Sequence, residues 1–172
     1  NNTKISALKD RVLALVEGQL VSDLQILVDE VYDKHIKLKL WPETVRLAKD
    51  HIKQGREVWL VTAAPQELGD VIVHELGLTG AIGTKVERKN GILTGKLVGA
   101  PIHGAEKRKA IKALAKERNL SLKRSYAYSD SQNDLPMLTA VGHPVAVNPD
   151  KILTRYAKAA DWPIYDFKKR EL

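Results

Sequence analysis

At Glu57 the hydrophobic pattern of this chain changes period, and that change bounds what it can fold into. Up to Gly55 the apolar residues recur at helical spacing. Ile5, Leu8, Val12, Leu15 and Val16 share one stripe, with Thr3 placed to cap its start, and Leu24, Leu27, Val28, Val31 and Tyr32 share a second after Gly18. Pro42 suits the first turn of a third helix, which carries Val45, Leu47, Ala48 and Ile52 and stops at Gly55. Nothing in residues 1–55 reads as a strand. The run Glu57 to Thr62 is then short and nearly continuously apolar, as expected of a strand buried on both faces of a parallel sheet.

From there strands and helices alternate. A helix is predicted from about Gln66 to Leu76, a strand at Ala81 to Thr84, and a hairpin with arms Val86 to Arg88 and Ile92 to Leu97 around Lys89-Asn90-Gly91. A long helix from about Gly104 to Arg118 precedes a strand at Ser125 to Ser129 and a short helix after Asp134. Val145 to Val147, a helix over Lys151 to Ala160 and Pro163 to Tyr165 complete the series, with His143-Pro144 read as a turn. The expected class is therefore α/β: a Rossmann-like, mostly parallel sheet flanked by helices, preceded by helices and carrying a small β-hairpin.

Composition narrows the function. Apolar residues make up 44% and charged residues 28% of 172, ordinary for a globular protein. No apolar run approaches the roughly 20 residues of a spanning helix, and no signal peptide is visible, so no membrane partner is expected and a cytoplasmic location is the default. The absence of cysteine excludes disulfides, thiolate chemistry and zinc–thiolate sites. The net charge of +7 is spread along helices such as Lys107 to Lys116, and three Trp, five Tyr and one Phe are too few and scattered for a base-stacking platform. A basic surface is preferred to a nucleic-acid binder.

Three places hold candidate chemistry, each at the end of a predicted element, where α/β sheets gather function. Thr62 closes the first strand ahead of Ala63-Ala64-Pro65, and a hydroxyl there, with backbone N–H donors, suits a phosphate oxygen; the alternative is a turn or N-cap threonine. Lys107 stands four and seven residues before Ile111 and Leu114, so it begins the buried stripe of its helix and needs an anionic partner; the alternative is a lysine that snorkels to water. Asp130 and Asp134 straddle a strand end and a helix start in Tyr128-Ser129-Asp130-Ser131-Gln132-Asn133-Asp134-Leu135-Pro136. A carboxylate at the first position suits Mg²⁺, whereas a turn residue and an N-cap are the alternatives for the two.

In this order, and with the strings Val58-Trp59-Leu60-Val61-Thr62-Ala63-Ala64-Pro65, Gly104-Ala105-Glu106-Lys107 and Tyr128 to Leu138, the chain resembles the second, third and fourth motifs of haloacid dehalogenase (HAD) phosphatases. The branch it resembles is the phosphoserine-phosphatase-like subfamily IB. The resemblance implies a helical cap over residues 1–40 and an α/β core over 41–172. It implies that Thr62 and Ala63 bind the transferring phosphoryl group, that Lys107 neutralises charge and that Asp130 ligates Mg²⁺. Asp134 would orient Lys107 or metal-bound water, and Asn133 would touch the substrate, a small phosphorylated metabolite.

One departure stands out. The family's first motif is Asp-X-Asp, whose first aspartate attacks phosphorus and whose second acts as acid and base. No two aspartates in this sequence are separated by one residue. The strand that carries that motif lies, in the family, between the strands ending at Thr62 and Asp130, and omitting it would leave a gap of about 9.6 Å between neighbours. The 172 residues are thus expected to be a fragment that is inactive alone, its sheet completed by a missing N-terminal segment or by self-association. The competing reading is a degenerate, non-catalytic module that binds phosphate and metal.

Overall fold

The computed structural model describes residues 13–167. The predicted stripe of Ile5, Leu8 and Val12 lies outside the described residues, and residues 13–16 are helical. The chain divides into two compact units, Asn1–Pro101 and Ile102–Leu172.

The first unit runs through helix α1 (Val21–Val31), a π turn (Tyr32–Ile36), a 3-10 turn (Lys37–Lys39) and α2 (Pro42–Lys53). It continues with strand β1 (Trp59–Pro65), α3 (Gln66–Leu76), β2 (Gly80–Thr84) and the hairpin β3 (Val86–Lys89) and β4 (Ile92–Leu97). Strands β1 and β2 pair in parallel, Trp59 opposite Gly80 through Val61 opposite Ile82. The turn from β1 into α3 is tied back to β2 by one side chain. Gln66 Nε2 donates to the Ala81 carbonyl at 3.0 Å, while the buried Gly83 N–H donates to Gln66 Oε1 at 2.7 Å. A Cβ at Gly83 would lie 2.7 Å from Gln66 Cα, so only glycine lets the backbones approach this closely. Gln66→Ala strands the buried Gly83 N–H and is expected to lower stability by about 2 kcal/mol, read from urea unfolding.

The hairpin forms as its turn chemistry predicts. Asn90 and Gly91 have φ of 51° and 77°, the paired positive values of a type I′ turn. The hairpin is also part of the unit's core: Val86 and Leu93 are buried with Leu24 and Val28 of α1, and Leu68 and Val71 of α3 pack against them. The helix expected after Gly18 begins at Val21, and residues 18–20 ahead of it line β4. Gly18 N–H donates to Leu93 O at 2.8 Å, Leu93 N–H to Gln19 O at 2.9 Å and Val21 N–H to Gly91 O at 2.9 Å, around the isolated bridge between Leu20 and Ile92.

The second unit contains α4 (Ala105–Glu117), β5 (Tyr126–Ser129), a 3-10 turn (Gln132–Asp134), α5 (Leu135–Leu138), β6 (His143–Val147), α6 (Lys151–Ala159) and β7 (Ile164–Tyr165). Its three strands are parallel in the order β5-β6-β7. Leu138, Ala146, Leu153 and Ala157 are fully enclosed, the last two presenting one face of α6 four residues apart. His143-Pro144 belongs to β6 and is no turn: His143 and Pro144 pair with Tyr126 and Ala127. Proline is tolerated there because alternate residues of β6 donate to opposite neighbours. His143 N–H donates to Ser125 O and Ala146 N–H to Pro163 O, so the position of Pro144 faces β7, whose pairing begins only at Ala146. Parallel strands flanked by helices in both units give the α/β class expected from the sequence. Among the described residues no helix is long and apolar enough to cross a membrane.

Candidate active site

In the second unit the carboxyl end of β5 delivers Ser129 and Asp130 into the loop that becomes the Gln132–Asp134 turn and then α5. Lys107 is the third residue of α4, at the start of the stripe that buries Ile111 and Ala115. Its Nζ straddles the Asp134 carboxylate, 2.8 Å from Oδ1 and 3.0 Å from Oδ2. Both side chains are 12% exposed, so this is a largely desolvated ion pair. Ser129 Oγ donates to Asp134 Oδ2 at 2.7 Å and accepts the Ser131 N–H at 3.2 Å. Asp134 occupies the N-cap position of α5, yet its side chain makes no capping bond. The carboxylate is engaged by Lys107 and Ser129, which replaces the N-cap alternative with a charge-pairing role. Pairing of this kind is what a buried lysine requires, because an isolated charge at that depth is strongly disfavoured.

Asp130 differs. It is exposed, and among the described residues its carboxylate has no hydrogen-bond or ion-pair partner. Its backbone is held, however: the Asp130 carbonyl accepts the Asp150 N–H at 2.8 Å. Asp150 was not singled out in the sequence, although Asn148-Pro149-Asp150 before a helix is a capping signal. Its Oδ1 accepts the N–H groups of Ile152 at 3.0 Å and Leu153 at 2.8 Å, and its Oδ2 accepts the Gln132 N–H at 2.7 Å. The Leu153 amide, then that of Gln132, holds this carboxyl below the usual carboxylate range. Asn133 is exposed on the same loop, with its N–H donating to Ser131 Oγ at 3.2 Å.

Thr62 and Ala63 belong to the first unit. Thr62 does not close its strand. β1 continues to Pro65, and its pairing with β2 is irregular between Val61 and Pro65, which takes Thr62 out of regular register while leaving it extended. Thr62 Oγ accepts the Ala64 N–H at 3.1 Å, so its own proton remains available to donate. The Ala63 carbonyl accepts Thr84 Oγ–H at 2.8 Å, anchoring the exposed Ala63 peptide to the end of β2.

Among the described residues no three His, Asp or Glu gather into a metal-binding cluster. The donor chemistry of Asp130 still fits magnesium, which is held through one or two carboxylates completed by substrate phosphate and water. A single exposed oxygen donor on a backbone-anchored loop meets that description.

Comparison with known proteins identifies the family and the fold. The sequence profile of haloacid dehalogenase-like hydrolases matches residues 1–139. The phosphoserine phosphatase SerB1 of Mycobacterium tuberculosis is 46% identical over 168 residues, covering 98% of this chain and 54% of the relative. This chain therefore spans about half the length of the curated relatives it matches. A Bordetella pertussis protein of unknown function shares the fold with a TM-score of 0.84 and 29% identity, over 92% of this chain and 72% of the other. A HAD family hydrolase from Salmonella enterica serovar Typhi superposes with a TM-score of 0.69 at 19% identity, over 85% of this chain and 48% of the other.

Proposed function

The chain belongs to the haloacid dehalogenase-like hydrolase family, and from that premise we propose that it forms part of a magnesium-dependent phosphomonoesterase working through an aspartyl-phosphate. Residues 1–40 serve as its helical cap segment and 41–172 as its α/β core. The similarity to a phosphoserine phosphatase supports a small phosphorylated metabolite as the substrate. The observation that carries the proposal is the desolvated Lys107–Asp134 pair beside the carboxyl end of β5. Phosphoryl transfer requires positioning and charge neutralisation more than covalent help, and a fixed ammonium supplies the second.

In this mechanism an aspartate carboxylate attacks phosphorus, the P–O ester bond breaks, and the alcohol leaves with a proton given by the second carboxyl of the Asp-X-Asp pair. Water then hydrolyses the aspartyl-phosphate to release inorganic phosphate. No Asp-X-Asp occurs in the 172 residues, so the attacking carboxylate is supplied from outside them. Lys107 neutralises charge on the phosphoryl group and the nucleophile, and Asp134 with Ser129 fixes the direction of its ammonium. Thr62 donates its free hydroxyl proton to a phosphoryl oxygen, joined by the Ala63 backbone, and Asn133 contacts the substrate. Asp130 would hold Mg²⁺, which when bound supplies Lewis-acid stabilisation of phosphate charge.

The test is hydrolysis of p-nitrophenyl phosphate by the 172-residue chain and by a chain extended to carry an Asp-X-Asp strand. The short chain should be silent. The extended chain should turn over, lose activity in EDTA and fall at least about a hundredfold on Asp130→Asn. Activity indifferent to both EDTA and Asp130→Asn would overturn the metal assignment. The absence of Asp-X-Asp favours a second reading, a binding module without turnover; an extended chain that binds phosphate but never forms a trapped aspartyl-phosphate analogue would establish it.

A further inference from the structure

We propose that Asp150 is the positioning residue that holds Asp130 in place for its cation; this rests on the reading of Asp130 as the magnesium ligand. Asp150 lies at the N-cap of α6, where one carboxylate oxygen suffices to cap a helix. Oδ1 does that work alone, accepting both Ile152 N–H and Leu153 N–H. Oδ2 is turned elsewhere, to the Gln132 N–H 18 residues away at 2.7 Å. The backbone of the same residue closes a second link, Asp150 N–H to Asp130 O at 2.8 Å.

The two links grip the loop at the Asp130 carbonyl and the Gln132 amide, on either side of Ser131. They restrain the peptides that follow the Asp130 Cα, and with them the origin of an exposed side chain that has no partner of its own among the described residues. A metal ligand on a loop is only as well placed as the groups that orient it, and losing such a group typically weakens metal binding about 10–100-fold. The Lys107–Asp134–Ser129 cluster reaches the loop from the β5 side, and Asp150 reaches it from the β6–α6 corner. Asp150 thereby couples the start of α6 to the residue that meets the cation.

The geometry separates the capping role from the positioning role. Serine is as good an N-cap as aspartate but is too short to reach Gln132. Asparagine keeps one oxygen for the cap and presents an NH₂ donor to the Gln132 donor. Asp150→Ser and Asp150→Asn should therefore keep α6 intact while releasing the loop. The experiment measures Mn²⁺ binding, as a paramagnetic probe of the magnesium site, together with amide exchange in the full 172-residue chain, for the wild type, both Asp150 variants and Asp130→Asn. Expected are at least tenfold faster exchange at Gln132, unchanged protection at Leu153 and about tenfold weaker Mn²⁺ binding in both Asp150 variants, with binding lost in Asp130→Asn. If Asp130→Asn loses Mn²⁺ while both Asp150 variants bind like the wild type, or if Gln132 exchange does not change, the positioning role is overturned. If the wild type does not bind, or Asp130→Asn binds equally well, the metal reading itself falls and this inference falls with it.

Discussion

Replacing Asp134 with leucine is expected to destabilise the chain by about 3–5 kcal/mol, because it leaves the Lys107 ammonium largely buried and unpaired. Both side chains of the pair are only 12% exposed, and Ser129 Oγ loses its acceptor as well. The double variant Lys107→Met/Asp134→Leu should recover most of that loss, since replacing both partners with apolar groups removes the desolvation cost along with the attraction. Urea unfolding of the two single variants and the double closes the cycle. A cost below about 1 kcal/mol for Asp134→Leu would show that Lys107 reaches water when its partner is gone, as surface pairs do. In a chain that also carries the nucleophile, the double variant should be folded and inactive. That outcome would separate the two uses of the pair: neutral for stability, indispensable for handling phosphoryl charge.

Gly142→Ala is expected to cost about 3 kcal/mol, the upper end of what overpacking usually does. A Cβ at residue 142 would overlap the Lys123 carbonyl oxygen and lie 2.6 Å from its carbon. Both are backbone atoms, so no side chain can swing aside. Gly142 N–H also donates to Leu122 O at 2.9 Å, which ties the residue before β6 to the turn before β5. The clash thus falls at the point that sets the register of Tyr126 against His143, and through it the height at which β5 presents Asp130. The thermal midpoint should fall by roughly 10 °C for a chain of this size. A fall of under about 2 °C would mean that the Leu122–Arg124 turn shifts at little cost, and that the register is held by side-chain packing instead.

Part of the candidate site was legible in the sequence. Helical period alone placed Lys107 at the head of a buried stripe, since Ile111 and Leu114 lie four and seven residues on, and a buried lysine demands an anion. Which anion it meets was not readable from spacing, because Asp134 is 27 residues away and joins it only when α4 packs beside the β5–α5 turn. Asp134 stood out by its own place at a helix start, and its link to Lys107 is what the family resemblance implies. Asp150 shows the opposite case. A helix cap there is a local signal, but the use of its second oxygen depends on β5 and β6 being neighbours, and no one-dimensional pattern carries that. His143-Pro144 misled for a related reason: proline argues locally for a turn, and only the point at which β7 begins to pair decides that a strand can bear it. The pairing of residues 18–20 was not legible either, since without alternation they show no strand pattern and their backbone bonds are made to a hairpin some 70 residues later.

The sequence by itself determined the period of each segment, the Asn90-Gly91 turn, the candidate residues for charge and phosphate, and the absence of an Asp-X-Asp motif from these 172 residues. Those properties are set by side-chain chemistry and by φ, ψ preferences within a few residues. Tertiary structure alone decided which donors meet which acceptors: Lys107 with Asp134, Gln66 with Gly83, Asp150 with Gln132. Each of these bonds joins residues 17 to 27 positions apart. A hydrogen bond forms over about 3 Å whatever the sequence separation, so its partners are settled only when packing has brought them within that reach.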